Sequence, residues 1–600
     1  ATLQLRQRNV DNPWHVELNG VRVATLARRD GLETHYYAVP AGVLRDGVNT
    51  FALVGEVPTD DITVGEIRLH ERPFREVLDL RVVAIGVRDA ADGGPSPARV
   101  TVLDAEGAFA PLYFAERLHT AVREGVCYTA DGEARFELPS GRYEVYATRG
   151  TEWSLGRAEL VVEAAEHALD LELVREVDTS GFVACDTHIH TLTFSGHGDS
   201  SVEERMVTLA GEGVELAVST DHNHNTDYRP YQERMGLTEW FTPVVGNEVT
   251  TPVGHFNAFP LDPADEVPPY DLRDVAQIVE GMRAKGAQVV ILNHPRWPDH
   301  QQGPFGVYAL DTFTGASAMP HPYDAMELIN SQTEEPEPLS LFRDWFALLN
   351  RGERVWGVAS SDSHTVSGVV GMGRTYVESS SDDPAALDVD ECCRHIAAGR
   401  TTVSMGIFAD VDVAGRGPGE LVAAAGEQEL ELSLRVASAS WVRPRQAVVY
   451  VDGAPIRSID VPVEPGRATD VRLDARLPVP PHDAWVVCVV TGAGVGGRWW
   501  PQINDYTLAA TNPVFLDCDG DGAFSSPRET ARRMLAEGGS DPEALALLLE
   551  RCDEAVALHA LELAREDYLR AADERLRGGA AAAAERMERV RAWLDRLPAR

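Results

Sequence analysis

The chain has 600 residues, 44% of them apolar, which exceeds what one hydrophobic core organises; roughly three to five globular domains are expected. Against 94 Asp and Glu stand only 54 Lys and Arg, a formal net charge of -40. Phosphate binding needs clustered cations, so this balance argues against a nucleic-acid partner and against an anionic membrane surface, and reads as a strongly solvated exterior.

No apolar run approaches the length of a membrane span. The seven cysteines, Cys127, Cys185, Cys392, Cys393, Cys488, Cys518 and Cys552, show no CxxC spacing, which makes a disulfide framework or zinc knuckle unexpected. The sequence starts at Ala1, as a mature form after signal removal or a trimmed form would; the compartment stays open, with a tilt toward the outside of the cytoplasm.

In chain order, residues 1–73 alternate apolar and polar positions between Asn-Gly and Asp-Gly turns, as in PWHVELNGVRVATL and GVNTFALVG. That pattern predicts an antiparallel β-sandwich, either a packing and presentation module or a carbohydrate-binding one that contacts glycan. Residues 74–178 repeat the style in RVVAIGV, ARVTVLD and EARFELPSGRYEVYATRG, predicting a second sandwich.

From residue 179 to 408 the grammar changes to helices alternating with strands. Ser201 and Glu204 form a capping-box pattern ahead of the stripe Val202, Met206, Leu209 and Ala210, with Gly211 and Gly213 as the stop. The strand ELAVST then ends at Asp221 and His222, FTPVVGN at Glu248, QVVIL just before His294, and VWGVAS just before Asp362 and His364. Each polar cluster lies past the C-terminal end of a predicted parallel strand, where a closed or nearly closed β/α barrel gathers its active-site groups.

The first cluster is the densest. CDTHIHTLTFSGHGD places His188 and His190 at alternate positions of an extended segment, pointing the same way, with His197 following in a glycine-flanked loop. Imidazole and carboxylate suit Zn, Mn or Fe, and a carboxylate between histidine sets can bridge two ions. An isolated HxH is weak, but five such clusters at successive strand ends would be costly to bury without metal. No GxSxG elbow or GxxxxGK[ST] loop occurs, and the GAGVGG run at 492–497 reads as a turn among strands.

HIH, STDHNH, GNEVTTPVGHFNAF, NHPRW and SSDSH, in that order, resemble the motifs of the polymerase and histidinol phosphatase (PHP) superfamily, in its carbaryl-hydrolase-like CehA/McbA branch. The resemblance spans about 181–408, and GRTYV and DVDECCRHIAAGRTTV are similar to the end of that domain. It implies a distorted, TIM-like (β/α)7 barrel in a multidomain chain, with a two- or three-metal hydrolytic site. Carried over, it puts His188, His190, Glu248 and Asp362 on a first ion, with Glu248 bridging to a second held by His255 and His294. A third would take His222 and His364, with His197 as the remaining imidazole, while Asp221 orients His222. The implied reaction is hydrolysis of a small-molecule phosphoester, carbamate or carboxylic ester by a metal-bridging hydroxide, Asp362 moving the proton. Arg296, next to His294, would stabilise an anionic substrate or the oxyanion, or else form an ordinary surface salt bridge. The alternative function is a non-catalytic surface or glycan-binding protein with a structural metal site.

Residues 409–513 return to strand grammar in RQAVVYVDGAPI and AWVVCVVTG and predict a C-terminal β-sandwich. Within 514–600, Asp517, Asp519 and Asp521 followed by Gly522 match the start of a calcium loop, although Arg528 stands where the closing glutamate belongs and Glu529 is one residue late. The alternative is a plain acidic turn. The alanine- and leucine-rich stretches 541–566 and 580–597 predict a helical hairpin.

Overall fold

The structure is a computed structural model that describes every residue except 11, 28–31, 58–59, 116, 539–541, 550–551 and 577–600. The second half of the expected helical hairpin, 580–597, lies outside the described residues. No described helix is long and apolar enough to cross a membrane.

Within residues 1–73, two three-stranded sheets face each other, one centred on Thr2–Arg8 and the other on Trp14–Leu18. The alternation read from the sequence is the reason: Leu3, Leu5, Val16 and Leu18 point into a shared core. Residues 74–178 form a five-stranded and a three-stranded sheet over a core that includes Val83, Ile85, Val100, Phe136 and Val145. One pairing there, Leu80–Asp89 with Glu166–Leu173, is parallel.

The central unit is built from β1 (Phe182–Ile189), β2 (Leu216–Ser219), β3 (Thr242–Val245), β4 (Asn247–Thr251), β5 (Gly254–Phe259), β6 (Val289–Leu292), β7 (Ala325–Asn330), β8 (Trp356–Ser360), β9 (Arg374–Glu378) and β10 (Thr401–Met405). Helix Val202–Gly211 connects the parallel β1 and β2 and Ser340–Arg351 the parallel β7 and β8, while Val275–Ala284 lies between β5 and β6. The capping box forms as read: the Ser201 hydroxyl accepts from the Glu204 N–H (3.2 Å) and the Glu204 carboxylate from the Ser201 N–H (3.0 Å). β2, β6 and β8 are buried at every position, which explains why they read as unbroken apolar runs rather than as alternations.

The pairing departs from the expected seven-stranded barrel. β1, β2 and β3 run parallel in one sheet and β6, β7 and β8 parallel in a second. β4 and β5 pair antiparallel, and β5 pairs antiparallel with β6. Only Pro252 and Val253 separate β4 from β5, too few for the helical crossover that a parallel pair needs, so a hairpin is forced. The two sheets meet at their tips through the bridges Ile189 to Ser363 and His222 to Glu248.

The C-terminal sandwich exists, but it does not stand apart. β9 pairs with β1 and β10 with β9, and Tyr506–Thr511, Ala484–Ala493, Arg443–Val451 and Ala454–Asp460 continue the same sheet. The facing layer is Phe408–Val413, Glu429–Ser438 and Thr469–Pro478. At the seam the buried Asn512 carboxamide accepts from the Gly357 N–H (2.7 Å) and donates to the Gly357 carbonyl (2.9 Å) and the Thr401 hydroxyl (2.7 Å). Changing Asn512 to Ala strands these strand groups away from water and is expected to cost about 2–4 kcal/mol. A lower denaturant midpoint at unchanged m-value is the measurement that checks this.

Beyond Asp517 the described helices are Pro527–Gly538, Pro542–Leu549 and Glu554–Leu576, packed around Ala531, Leu545, Val556 and Leu561. They are tied to the central unit through Glu562, which pairs with Arg351 (3.4 Å).

Candidate metal centre

The loops that follow β1, β2, β6 and β8 converge on the β4–β5 hairpin. His188 and His190 emerge side by side from β1, ring centroids 4.9 Å apart. In the hairpin, Thr250 lies opposite His255 and Glu248 opposite Asn257, so all four side chains share one face. Glu248 becomes the hub. Its Oε1 lies 3.0 Å from His255 Nδ1, 3.2 Å from His188 Nε2 and 3.6 Å from His294 Nε2, while Oε2 lies 2.5 Å from His222 Nδ1 and 3.7 Å from His190 Nε2. Asp362 forms the second focus, with Oδ1 at 3.4 Å from His188 Nε2, 3.2 Å from His190 Nε2 and 3.5 Å from His364 Nδ1.

Two of these groups are delivered by strained backbone. His294 has φ 27° and Asp362 φ 55°, a region that residues with a Cβ rarely adopt. The Asp362 N–H donates to the His188 carbonyl (2.8 Å) and the His294 N–H to Glu327 (2.6 Å), and these bonds hold the turns in place.

Several buried atoms here make no hydrogen bond of good geometry, though most lie close to other ligand atoms: His188 Nε2, His190 Nε2, Glu248 Oε2, His294 Nδ1 and His364 Nε2. Leaving so many polar atoms unpaired in the interior is costly unless something else satisfies them. Sets whose ligand atoms all lie within 4.8 Å of one another include His188, His294 and Asp362; His188, His190 and Glu248; His222, Glu248 and His255; and His190, His222 and His364. Donor type, burial and spacing therefore fit divalent transition ions.

Ionisation points the same way. The Glu248 and Asp362 carboxylates resist the upward push of burial because His188 and neighbouring imidazoles hold both well below the usual carboxylate range. Burial drives His190 well below the usual imidazole range and pushes His364 down to about 4. Burial works against a charge on His188 too, but Asp362, Glu327 and Glu248 raise it well above its ordinary value. The pocket thus holds anionic oxygens beside the neutral imidazoles of His190 and His364, while the carboxylates keep His188 charged, as they would favour any cation at their centre.

At the rim, His190, His222 and His364 present ligand nitrogens within 4.8 Å of one another, and His197 lies beside them. His197 is exposed, its ring 4.6 Å from His364 and 4.9 Å from His222, and its Nδ1 donates to the Ser195 carbonyl (3.3 Å). Its loop is pinned by the Asp199 N–H, which donates to the His364 carbonyl (3.1 Å). At Gly198, φ is +85° and a Cβ would sit 2.3 Å from that carbonyl oxygen. Gly198→Ala is therefore expected to displace the loop and lower the affinity of the rim nitrogens for metal, on the order of tenfold, with the melting temperature little changed. Metal titration with His222 and His364 intact is the check.

Arg296 requires a correction. Its guanidinium is buried, donating to both Asp344 oxygens (2.8 and 2.7 Å) and to the His300 carbonyl (3.3 Å). Committed to the Ser340–Arg351 helix, it anchors the loop behind His294 instead of facing a substrate; the salt bridge read as an alternative is real, though buried rather than superficial. Asp221 does orient the site, but through Ser195: it accepts from the Ser195 hydroxyl (2.7 Å), whose oxygen accepts from the His222 N–H (3.3 Å) and lies 3.2 Å from His190 Nδ1.

Three positioning groups escape sequence reasoning. Glu327, fully buried on β7, accepts from His188 Nδ1 (2.7 Å), the His294 N–H, the Ser360 hydroxyl and Asn330 Nδ2 (3.0 Å). Its signal was a lone carboxylate inside the apolar run AMELIN. Asp186 accepts from the N–H groups of His188 (3.1 Å), Ser361 (3.0 Å) and Gly371 (2.8 Å), clamping β1 to the segment after β8. Arg205, buried in the helix stripe, donates to the carbonyls of His190 (3.0 Å) and Ser363 (2.9 Å).

In the acidic loop, Asp517 accepts from the N–H groups of Gly520 (2.6 Å) and Gly522 (3.0 Å), Asp521 from Ala523 (2.9 Å), and Asp519 pairs with Arg533 (3.1 Å).

No protein-family model matches the chain, and no curated protein matches it. Among solved structures, it is similar to a two-domain protein from Bacteroides vulgatus ATCC 8482 containing a predicted PHP-like metal-dependent phosphoesterase, at 16% identity over 52% of this chain and 92% of that one, with a TM-score of 0.30. The major pilin subunit BcpA of Bacillus cereus matches at 13% identity over 29% of this chain and 60% of its own, TM-score 0.14. An FMN-binding beta-glucuronidase from Facaelibacterium prausnitzii L2-6 matches at 10% identity over 86% and 88%, TM-score 0.14. Likenesses this weak assign neither family nor activity.

Proposed function

We propose that the chain is a metal-dependent hydrolase of the PHP type, acting on a small phosphoester or on a carbamate or carboxylic ester. The observation that carries the reading is the set of buried imidazole and carboxylate atoms without hydrogen-bond partners around Glu248 and Asp362. His188, His190, Glu248, His255, His294 and Asp362 would hold two ions, and His190, His222 and His364, with His197 above them, would offer a third position. Bound there, Zn, Mn or Fe would supply Lewis acidity and bring the pKa of a water toward neutrality. The protein's own part is positioning: Glu327 fixes the His188 ring, Asp221 and Ser195 fix His190 and His222, and Asp362, reaching the same space, is the group placed to take a proton.

Trp297 bears on the substrate. It is 48% exposed, with its ring centroid 5.2 Å from His294 and 6.4 Å from His255, so an indole face stands on the rim of the centre. Such a face favours an ester with an aromatic leaving group.

The test is turnover of a chromogenic aryl phosphate and of a naphthyl carbamate by protein reconstituted with Mn or Zn. Hydrolysis of at least one is expected, abolished by chelation and restored by metal. Trp297→Ala should raise KM for the aryl substrate by about fivefold to tenfold, the worth of one aromatic contact, with kcat nearly unchanged. Fully metallated protein that turns over neither compound would overturn the reading.

A further inference from the structure

Far from the central site, a second group of metal-competent side chains joins three segments distant in sequence. Asp452 sits at the turn between Arg443–Val451 and Ala454–Asp460, His482 precedes Ala484–Ala493, and Asp553 immediately precedes the helix Glu554–Leu576. One ligand atom from each lies within 4.8 Å of the others.

The histidine is presented as a ligand would be. His482 Nδ1 donates to the Asp483 carbonyl (2.7 Å), which leaves Nε2 as the nitrogen facing the two carboxylates, 2.8 Å from Asp553 Oδ2. A backbone carbonyl behind the imidazole is the usual way in which proteins fix the tautomer and direction of a metal-binding histidine.

The second observation is Asp452. It is only 5% exposed, one carboxylate oxygen accepts from the Trp485 N–H (3.0 Å), and the other, Oδ2, has no hydrogen-bond partner. The backbone carbonyl of Asp452 accepts from Asn350 Nδ2 (3.0 Å), whose Oδ1 in turn accepts from Trp485 Nε1 (2.8 Å). The aspartate is thus held rigidly with a buried, unpartnered oxygen; burial pushes its carboxyl pKa up to about 8, and a cation at the cluster would relieve the cost of its charge. Asp553 contributes differently: its Oδ1 caps the helix by accepting from the Val556 N–H (2.9 Å), leaving Oδ2 for the cluster.

We infer that Asp452, His482 and Asp553 form a structural site for one divalent transition ion, a clip that fastens the first turn of the Glu554–Leu576 helix to the C-terminal sandwich. One imidazole nitrogen and two carboxylate oxygens suit Zn or Mn, and the solvent-facing side at Asp553 leaves room for water to complete the coordination. The site shares no residue with the centre around Glu248 and stands whether or not that centre is catalytic.

The test uses the full-length chain, Zn as the probe and two readouts. Elemental analysis after dialysis against Zn should show one ion fewer per chain in His482→Ala than in the unaltered protein. Trypsin cleavage within 554–576 should be suppressed by Zn in the unaltered protein and be indifferent to Zn in the variant. Should His482→Ala fail to fold, Asp452→Asn decides: it keeps the acceptor for Trp485, and Zn protection should then require at least tenfold more metal. An unchanged Zn count and unchanged protection in the folded variants would mean that His482 and Asp553 form an ion pair only, and the clip would be ruled out.

Discussion

Glu248→Ala should abolish hydrolysis and empty the centre at the same time. No other side chain reaches so many of its members: five imidazoles lie within 3.7 Å of the Glu248 carboxylate. Removing it takes away the one anionic group common to the His188–His190 and the His222–His255 sets, and leaves nitrogens that repel one another when protonated. The loss should exceed the roughly 10–100-fold effect of an outer partner and reach on the order of 10³-fold or more in kcat. Metal content should fall by at least one ion per chain while far-UV dichroism stays unchanged. A variant with full metal content and near-normal turnover would show that Glu248 is not the bridge.

Glu327→Gln should produce a different signature. The carboxylate takes hydrogen bonds from four donors, and an amide must turn its NH₂ toward one of them, loosening His188 or the His294 turn. Metal affinity is expected to drop by about 10–100-fold, with activity largely recovered at saturating metal. That recovery separates a positioning residue from a ligand. Equilibrium dialysis against Mn or Zn at several concentrations, paired with the ester assay, measures both parts, and a loss that no metal concentration repairs would make Glu327 a ligand itself.

Much of the centre was legible because parallel strands buried on both faces announce themselves as apolar runs, and His222, Glu248, His294, Asp362 and His364 each follow such a run. The capping box at Ser201 and Glu204 was equally plain, since its logic is local. What resisted reading was pairing. The stretch GNEVTTPVGHFNAF reads only as a motif, and its hairpin follows from the two-residue link Pro252–Val253, a constraint that motif order hides. How close His197 comes to His222 and His364 was also closed to linear reading, because it depends on how Gly198 folds the loop against the His364 carbonyl. Arg296 misled for a related reason: adjacency to His294 says nothing about the direction of its guanidinium, which Asp344, 48 residues away, decides. Glu327 and Asp186 escape linear reading because carboxylates that serve buried donors carry no spacing signature, and a lone carboxylate in an apolar run is the one hint that Glu327 gives.

The sheet that runs from β3 through β10 into Tyr506–Thr511 and on to Ala454–Asp460 has a consequence for anyone wishing to take the protein apart. A cut near residue 408 would not fall in a linker. It would strip β10 of its neighbour along Thr402–Met405 and bare a row of peptide donors and acceptors, the kind of edge on which chains stack into aggregates. Asn512, the peg that fastens Gly357 and Thr401, would leave with the discarded half. The histidine-rich half and its β neighbour are therefore a single unit of inheritance and of expression, and a soluble minimal fragment must extend at least to the end of the Val514–Asp517 strand.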